Sequence, residues 1–392
     1  METINFSDTQ PAFMTTSNVS LQFKKITFLL MNHPALAKNL KRITDFKLLM
    51  PLIKKTVFPI FVGGETITQA MTTVEKRLVP VQIGAVLDYS VEVADTEEKI
   101  QFTIDTVKGA IRQSAHYRKF LPFAVFKISG LMQKQQLVLL SSYVKNLTVT
   151  GGKEIQALYH QIVAKVNSIC QEAFRYKVKV MIDAEGSDIQ DLIDLLTLEM
   201  MKLYNHERCT VINTYQCYLK DGLDKLKRQF TTLRSQGIYF GAKVVRGAYM
   251  ETERIKAGLE GKPSPICESK DETDVQFNSA INFCFKNISE MEMVVATHNE
   301  TSIQETISLM ERHKIEAGDS RIYFAQLFGM SDNLSCNLAK HGFNVCKYLP
   351  FGPVHEVLPY LIRRINENSS IRGQSGRELI LIKNEIARRR KL

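Results

Sequence analysis

The chain has 392 residues, of which 44% are hydrophobic, and a formal net charge of +10 at pH 7. This length suits one large α/β barrel with an added helical portion, or two domains. No apolar run approaches the roughly 20 residues of a membrane-spanning helix, and the polar start METINFSDTQ has no signal-peptide core. The seven cysteines are scattered without a CxxC pair. The sequence therefore predicts neither a zinc site nor a disulfide framework, and it favours a reducing compartment.

The first 79 residues have a different pattern from the rest of the chain. After a polar tail, apolar residues recur at helical spacing from Leu21 to Leu30. Lysines cluster here, at positions 24, 25, 38, 41, 47, 54 and 55. A basic amphipathic segment either packs on a core or lies on an anionic membrane surface, and both alternatives stay open. We predict an N-terminal tail and helical segment over 1–79 and a barrel over 80–392.

From residue 80 onward, apolar runs rich in β-branched residues alternate with stretches of helical periodicity. The eight runs that we predict as strands are 82–90, 122–129, 177–184, 210–215, 239–246, 291–297, 322–327 and 344–349. Strand–helix alternation is typical of a parallel sheet. Eight repeats with a helix after the last favour a closed (β/α)8 barrel, with a doubly wound sheet as the alternative.

Polar or charged residues stand at the end of each predicted strand. In chain order they include Asp88, Lys127, Asp183, Asn213, Tyr215, Gln216, Lys243, Arg246, Thr297, His298, Gln326, Lys347 and Tyr348. A barrel of this kind carries its chemistry at the carboxyl ends of its strands, so we expect these ends to form one site. A lysine inside an apolar strand, such as Lys127 in FAVFK, is costly to bury without a partner.

The charges near these ends fit a small carboxylate. The cations are Lys127, Arg363 and Arg364, and the acidic partners are Asp88, Glu92 and Asp183. Paired arginines offer planar donor forks to a carboxylate, although two arginines on a helix are also common on a solvated face. Tyr249, Tyr348, Tyr360 and Leu327 would form an apolar slot beside the cations. A small amino or imino acid fits this description.

The residues alone do not give the reaction. His298 has no neighbouring metal ligand in the sequence, and a structural histidine explains it equally well. The sequence has no Ser-His-Asp nucleophile motif and no GxGxxG loop.

Seven motifs, in order along the chain, resemble proline dehydrogenase. They are FAVFK at 123–127, MIDAE at 181–185, NTYQCYLKD at 213–221, FGAKVVRGAYMETER at 240–254, ATHNE at 296–300, QLFGM at 326–330 and KYLPFGPVHEVLPYLIRR at 347–364. The resemblance covers about residues 60–392. The chain resembles the single-function bacterial enzymes and, in its motifs, the mitochondrial ones.

The resemblance implies a distorted (β/α)8 barrel that holds FAD non-covalently. Such an enzyme oxidises L-proline to Δ1-pyrroline-5-carboxylate, the first step of proline catabolism, and passes the electrons to a membrane quinone. The implied location is cytoplasmic with peripheral contact at the inner face of the inner membrane, or the matrix side in a mitochondrion. Nothing implies a nucleic-acid partner or a metal.

Site residues follow from the same motifs. Lys127, Arg363 and Arg364 would bind the proline carboxylate, with Asp183, Asp88 and Glu92 as acidic partners. Tyr348, Tyr360 and Leu327 would pack on the proline ring. The implied flavin contacts are Asn213, Lys243, Val245, Gly247, Tyr249, Lys270, Thr297, His298 and Glu367.

Three positions carry further expectations. Some bifunctional relatives have Gln and Arg where this chain has Asn213 and Lys243. This difference bears on the redox potential of the flavin. Tyr348 favours proline over hydroxyproline, because its ring would crowd a hydroxyl on the substrate.

Two rival functions remain, a lyase or aldolase with Lys127 as a Schiff-base amine and a non-catalytic membrane-bound binding protein.

Overall fold

The computed structural model describes residues 4–31, 50–90, 95–145, 148–370 and 374–391. Within these ranges, the side chains at 30, 31, 50, 52, 364–370 and 374–376 are outside the description. Glu92 and the lysines at 38, 41 and 47 therefore lie outside the described residues, as do the side chains of Arg364 and Glu367.

Eight strands form a closed parallel barrel in the order β1-β10-β9-β8-β7-β6-β5-β2. The barrel strands are β1 (Gly84–Tyr89), β2 (Phe123–Phe126), β5 (Lys179–Ile182), β6 (Val211–Gln216), β7 (Phe240–Val245), β8 (Met291–Ala296), β9 (Ile322–Leu327) and β10 (Val345–Phe351). A separate antiparallel pair joins β3 (Val144–Lys145) to β4 (Thr148–Val149). Each predicted strand is present, and the predicted (β/α)8 barrel is confirmed.

Helices precede the first strand, and a helix also follows each barrel strand. Before β1 come α1 (Gln10–Phe13), α2 (Asn18–Met31), α3 (Met50–Thr56), α4 (Phe58–Phe61) and α5 (Ile67–Thr73), then a π-helical turn (Val74–Leu78) and a 3-10 turn (Val79–Val81). The later helices are α6 (Glu97–His116), α7 (Lys134–Ser142), α8 (Lys153–Tyr176), α9 (Gln190–Tyr204), α10 (Gly222–Arg234), α11 (Met250–Leu259), α12 (Lys270–Lys286), α13 (Glu300–Arg312), α14 (Asp332–Lys340), α15 (Val354–Ser370) and α16 (Gln374–Arg389). The boundary that we predicted at residue 79 stays a prediction.

Several helices begin where a side chain can cap their free N–H groups. Thr96 accepts a hydrogen bond from the Lys99 amide before α6, and Ser269 does the same for Glu272 before α12. Asn299 accepts from the Ser302 amide at the start of α13. Each cap stabilises its helix by about 1 kcal/mol, so these three short polar residues help to fix where the helices start.

The chain divides into two compact units. Unit 1 comprises residues 1–91 and 325–392, and unit 2 comprises 92–324.

In unit 1, the N-terminal segment is held by the C-terminal helix α16. Glu385 is fully buried and accepts hydrogen bonds from Thr9 at 2.8 Å and from Arg388 and Arg389. Arg389 in turn donates to the carbonyl oxygens of Phe13 and Thr16. Burial would raise the pKa of Glu385, but these hydrogen bonds outweigh it and lower the pKa to about 2. Thr9, Phe13 and Thr16 are thus bound to side chains of α16.

In unit 2, strand pairing sets which side chains share a face. Val125 pairs with Met181, Ile182 with Asn213, and Thr214 with Lys243. Paired residues on neighbouring parallel strands point the same way, and successive residues alternate. The pairing therefore assigns each polar residue of these strands to the inner or the outer face of the barrel.

Candidate active site

Two lysines share one carboxylate at the carboxyl ends of three strands of unit 2. Lys127 Nζ lies 3.0 Å from Asp183 Oδ2, and Lys243 Nζ binds the other oxygen, Asp183 Oδ1. The three side chains are 11%, 11% and 6% exposed for Lys127, Asp183 and Lys243 respectively. Lys127 and Asp183 directly follow β2 and β5, and Lys243 lies within β7. Buried charges need partners, and the Asp183 carboxylate is a partner that both lysines share.

The cluster marks the inner face of the barrel, and β6 contributes two further residues to it. Thr214 pairs with Lys243 and Gln216 with Val245, so both point inward. Gln216 is 5% exposed, and its amide donates to the Glu185 carbonyl at 3.0 Å. Gln216 therefore presents an amide group on the face that carries Lys243 and Val245.

Asn213 lies on the opposite, outer face of the same strand. Its amide nitrogen donates to Asp194 at 3.1 Å and to Gln229 at 3.2 Å, on α9 and α10. Its amide oxygen accepts from the Thr214 amide. Both N–H donors and the amide oxygen of Asn213 thus bind protein groups, so the structure does not bring Asn213 to the lysine cluster.

Asn213 belongs to a buried network between the barrel and its helices. Tyr215 donates to Gln229 at 2.6 Å, and Asp194 Oδ2 lies 3.0 Å from Lys225. Burial raises the pKa of Tyr215 well above its usual value, and the Asp194 charge adds to the effect. Burial alone would lower the pKa of Lys225, but Asp194 outweighs it and the pKa rises. This network fastens α9 and α10 to β6.

Arg246 joins the ends of two strands to two helices. Its guanidinium donates to Asp274 at 2.6 Å, to Thr297 at 2.5 Å and to Ser302 at 2.9 Å. It also lies 4.3 Å above the centre of the Phe277 ring. A planar fork with each nitrogen engaged has one fixed orientation, so Arg246 sets the relative positions of β7, β8, α12 and α13.

Lys270 shares the Asp274 carboxylate with Arg246. Its ammonium donates to Asp274 Oδ2 at 2.5 Å, and its side chain is 67% exposed. Burial would raise the pKa of Asp274, but the hydrogen bonds from Lys270 and Arg246 outweigh it and lower the pKa. Thr297 is buried and His298 half-buried at the end of β8. Lys270 and Thr297 therefore join one polar set around Arg246.

The segment after β7 brings exposed backbone next to a buried tyrosine. Gly247 has φ +133°, and a Cβ there would overlap the Tyr218 ring, so this position requires glycine. Tyr249 is half-buried just before α11, and its carbonyl accepts the Glu253 amide at 2.9 Å. Glu253 accepts from the Ser187 amide and hydroxyl at 2.7 and 2.6 Å. The loop after β5 and helix α11 are thus held together.

Unit 1 contributes a second set of predicted residues. Val86 pairs with Tyr348, and Asp88 with Pro350, so Tyr348 and Asp88 share a face. Asp88 is 2% exposed and accepts from Ser90 Oγ at 2.6 Å. Tyr348 is half-buried, and its carbonyl accepts from the Phe328 amide at 3.0 Å.

Two predicted residues of α15 are described. Tyr360 is 5% exposed and Arg363 is half-buried, and Leu327 is half-buried at the end of β9. A half-buried arginine three residues from a buried tyrosine lies at the margin of the covered face of this helix. This placement is compatible with a binding role for Arg363. The roles of Arg364, Glu367 and Glu92 stay predictions from the sequence.

Lys347, one of the strand-end residues, points away from the face of Tyr348. Its ammonium donates to the Met330 carbonyl at 2.5 Å and lies 3.0 Å from Asp332 Oδ1 on α14. It is 1% exposed. Lys347 is therefore part of a separate buried charge cluster between the barrel and its outer helices.

Gln216 and Arg246 were not among the residues assigned to the site from the sequence. Both were recognised as strand-end polar residues, but neither received a role. The signal that singles out Gln216 is strand alternation, since it lies three residues after Asn213 and two after Thr214. Arg246 carries no signal beyond its place at a strand end.

Among the residues that the structure describes, no group of three His, Cys, Asp or Glu side chains could hold a metal ion. In the same part of the chain, no helix combines the length and apolar character that crossing a membrane requires.

The sequence profile of the proline dehydrogenase family matches residues 70–377. The chain belongs to the proline dehydrogenase family. It is 33% identical over 380 residues to mitochondrial proline dehydrogenase 1 of Dictyostelium discoideum. The alignment covers 86% of this chain and 65% of that protein. It is 32% identical to a hydroxyproline dehydrogenase of Xenopus laevis, over 68% of this chain and 63% of that protein.

A solved structure has the same fold. Proline utilization A from Bdellovibrio bacteriovorus, crystallised after inactivation by N-propargylglycine, superposes with a TM-score of 0.73 at 18% identity. The match covers 95% of this chain and 40% of that chain. This chain thus spans less than two thirds of the length of each of these three proteins.

Proposed function

We propose that the chain oxidises L-proline to Δ1-pyrroline-5-carboxylate with a non-covalently bound FAD. The observation that carries the proposal is the buried Lys127–Asp183–Lys243 cluster at the carboxyl ends of the barrel strands, in a member of the proline dehydrogenase family. The D. discoideum relative is named a proline dehydrogenase, and carboxyl ends are where this fold keeps its chemistry.

The donors of unit 2 fit a flavin. Lys243 and Gln216 present N–H groups on the inner face of the barrel, which suits the polar edge of an isoalloxazine ring. Arg246 and Lys270 supply positive charge for a diphosphate, and the exposed Gly247 backbone allows close approach of a ligand. Val245, Tyr249, Thr297 and His298 keep their predicted contacts in this proposal, while Gln216 takes the role first predicted for Asn213.

The residues of unit 1 fit the substrate. We infer that Arg363, with Arg364, binds the proline carboxylate through charge-assisted hydrogen bonds. Tyr348, Tyr360 and Leu327 pack against the ring and exclude water. Anchoring the carboxylate at one end fixes the position of the ring carbon that reacts.

FAD would supply the acceptor for a hydride. The C–H bond at the ring carbon next to nitrogen breaks with its electron pair leaving as hydride, and a C=N bond forms. The proton on nitrogen goes to solvent. The chain binds and orients the substrate, while Asp183 holds Lys127 and Lys243 in place. An ammonium bound to a carboxylate is a poor nucleophile, which disfavours the Schiff-base alternative for Lys127.

A membrane quinone is the proposed electron acceptor, and the matrix side of the mitochondrial inner membrane is the proposed location, because the D. discoideum relative is named mitochondrial. Lys25 of α2 and the two lysines of α3 would contact anionic lipid. We also propose that residues 1–79 form a helical segment preceding the barrel.

The visible spectrum of the purified protein tests the proposal directly. We expect a flavin spectrum that bleaches when L-proline is added without oxygen and stays unchanged with D-proline. A flavin spectrum that L-proline leaves unchanged would keep the cofactor and reject the substrate. A colourless protein that FAD does not restore would reject the activity.

A further inference from the structure

A small cavity lies within unit 1, apart from the residues assigned to proline and FAD. It is lined by three cations, Lys24, Arg77 and Lys347, and by one carboxylate, Asp332. The hydroxyl-bearing residues Thr15 and Thr16 complete its polar part, and the remaining lining is mostly apolar. The lining thus carries a formal charge of +2, which is unusual for groups that are largely buried.

The four charges do not satisfy one another. Asp332 is bound closely by Lys347, at 3.0 Å, and Lys347 also donates to the Met330 carbonyl. Lys24 lies 3.8 Å from the other Asp332 oxygen, which is longer than a hydrogen bond. Its ammonium also lies 5.9 Å from the centre of the Phe13 ring, and the buried carboxyl of Glu378 acts on it electrostatically. Lys24 is therefore a largely buried ammonium, 12% exposed, with donors to spare.

Arg77 also has unused donors. Its Nη1 donates to the Pro59 carbonyl at 2.9 Å, and its guanidinium lies 4.4 Å above the Phe328 ring. Stacking on an aromatic ring holds the planar group in one orientation. Among the described residues, Nε and Nη2 of Arg77 donate no hydrogen bond. Burial lowers the pKa of both Arg77 and Lys24, so both cations are held at a cost that an anion would offset.

We propose that this cavity binds a small oxyanion, of the size of phosphate or sulfate, between Arg77, Lys24 and the hydroxyls of Thr15 and Thr16. A guanidinium fork matches two oxygens of such an ion, and an ammonium and hydroxyls suit the others. The bound ion joins the segment between α1 and α2 to the π-helical turn before β1. It therefore stabilises the packing of the N-terminal segment rather than taking part in the reaction.

The test compares anions on the full-length protein at constant ionic strength in a zwitterionic buffer. Thermal unfolding and titration calorimetry are measured with sodium chloride, phosphate, sulfate and acetate. Phosphate should bind with one-to-one stoichiometry in calorimetry. It should also raise Tm by mass action on the folded state, and this rise should exceed the rise in Lys24→Met, which keeps only the general stabilisation that phosphate and sulfate give by exclusion from the protein surface. Acetate distinguishes an inorganic oxyanion from a carboxylate. If acetate binds as tightly as phosphate, the oxyanion of this site is a carboxylate.

Four variants, one of them a control, assign the ion to this cavity. Arg77→Met and Lys24→Met should each raise the Kd for phosphate at least tenfold. Lys25→Met, which removes the same charge from the same helix outside the cavity, should leave the Kd unchanged. Asp332→Asn should lower the Kd, because it removes the carboxylate that competes with the anion.

Asp332→Asn should tighten phosphate binding, whereas Arg77→Met and Lys24→Met should weaken it. The proposal therefore stays testable if Arg77→Met or Lys24→Met fails to fold. In that case the wild type and Asp332→Asn decide. No difference between phosphate and chloride in Tm and calorimetry, or weaker binding in Asp332→Asn, overturns the proposal. An equal loss in Lys25→Met and Lys24→Met also overturns it, because it would indicate general charge attraction.

Discussion

Lys127 and Lys243 bind opposite oxygens of one carboxylate, that of Asp183. Lys127 follows β2, Lys243 lies in β7 and Asp183 follows β5, so the Asp183 carboxylate joins three strands of unit 2. Removing one member of a buried ion pair typically costs 3–5 kcal/mol, roughly, because the other charge is left without its partner. Asp183 is thus the residue on which the cluster depends.

Replacing Asp183 by Asn should impair both stability and function. The amide cannot neutralise two lysines, so we expect a loss of roughly 3–5 kcal/mol in the free energy of unfolding and a reduced flavin content. Urea denaturation and the visible spectrum measure the two effects. Asp188→Asn is the control, since Asp188 pairs at 3.5 Å with the exposed Lys134 and should cost under about 1 kcal/mol. Equal costs for the two variants would contradict a special role of Asp183.

The two amide residues of β6 should behave differently. Gln216→Ala should lower FAD retention or shift the flavin spectrum, because Gln216 lies on the inner face. Asn213→Ala should instead destabilise the protein by about 1–3 kcal/mol, since it leaves Asp194 and Gln229 short of a buried donor. A normal flavin spectrum in Gln216→Ala with a changed one in Asn213→Ala would restore the original assignment.

Arg363→Ala should raise the KM for proline far more than it changes the flavin content. A charge-assisted hydrogen bond contributes about 1.5–3 kcal/mol, which corresponds to roughly a 10- to 100-fold rise in KM. Steady-state kinetics with a dye acceptor give the value. Lys383→Ala removes an exposed cation from α16 and serves as the control. Unchanged kinetics in Arg363→Ala would remove the proposed carboxylate contact.

Tyr348→Ser should shift specificity toward hydroxyproline. A smaller residue at this position gives room for a ring hydroxyl, and a change of this size in a pocket is worth about 1–3 kcal/mol, or roughly 10- to 200-fold. The quantity to measure is the ratio of kcat/KM for hydroxyproline to that for proline. An unchanged ratio would show that specificity does not depend on Tyr348.

Glu378 should make stability fall as pH rises toward neutrality. Burial, with the Asp332 charge in addition, raises the pKa of Glu378 from 4.5 to about 7, despite Lys347, Lys24 and the Ser331 amide, which donates to it at 2.6 Å. Between these two pKa values the folded protein binds more protons than the unfolded chain, so the free energy of unfolding decreases as pH increases. Each pKa unit corresponds to about 1.4 kcal/mol.

Glu378→Gln should remove that decrease, as measured by urea denaturation from pH 5 to 7.5. Glu385→Gln is the control, because the pKa of Glu385 is lowered to about 2. The stability that Glu385 contributes is complete above pH 4.5 and is lost only below it. An equal slope in the wild type and Glu378→Gln would show that Glu378 does not titrate in this range.

Much of the fold could be predicted from the sequence, because alternation of apolar runs with helical periodicity is a local property. All eight strands and the closed barrel follow from it. Lys127 and Asp183 could also be predicted to meet, since each directly follows an apolar strand and carboxyl ends of parallel strands lie at one end of a barrel.

The face of each strand residue was harder to predict. Asn213 and Gln216 lie three positions apart on β6 and therefore point to opposite faces, so an error of one residue in register exchanges the inner and outer sets. Lys347 and Tyr348 are adjacent and divide in the same way. Their motifs alone do not say which one turns outward.

The sequence by itself determined the number of barrel strands, their order along the chain and the chemical character of their ends, because these depend on residues close together in the chain. Only the tertiary structure decided that Gln216 points inward while Asn213 is bound by Asp194 and Gln229. Likewise, it decided that Lys347 joins Asp332, Lys24 and Arg77 in a separate cavity. These outcomes depend on helices and loops distant in sequence, whose packing around the barrel no local pattern encodes.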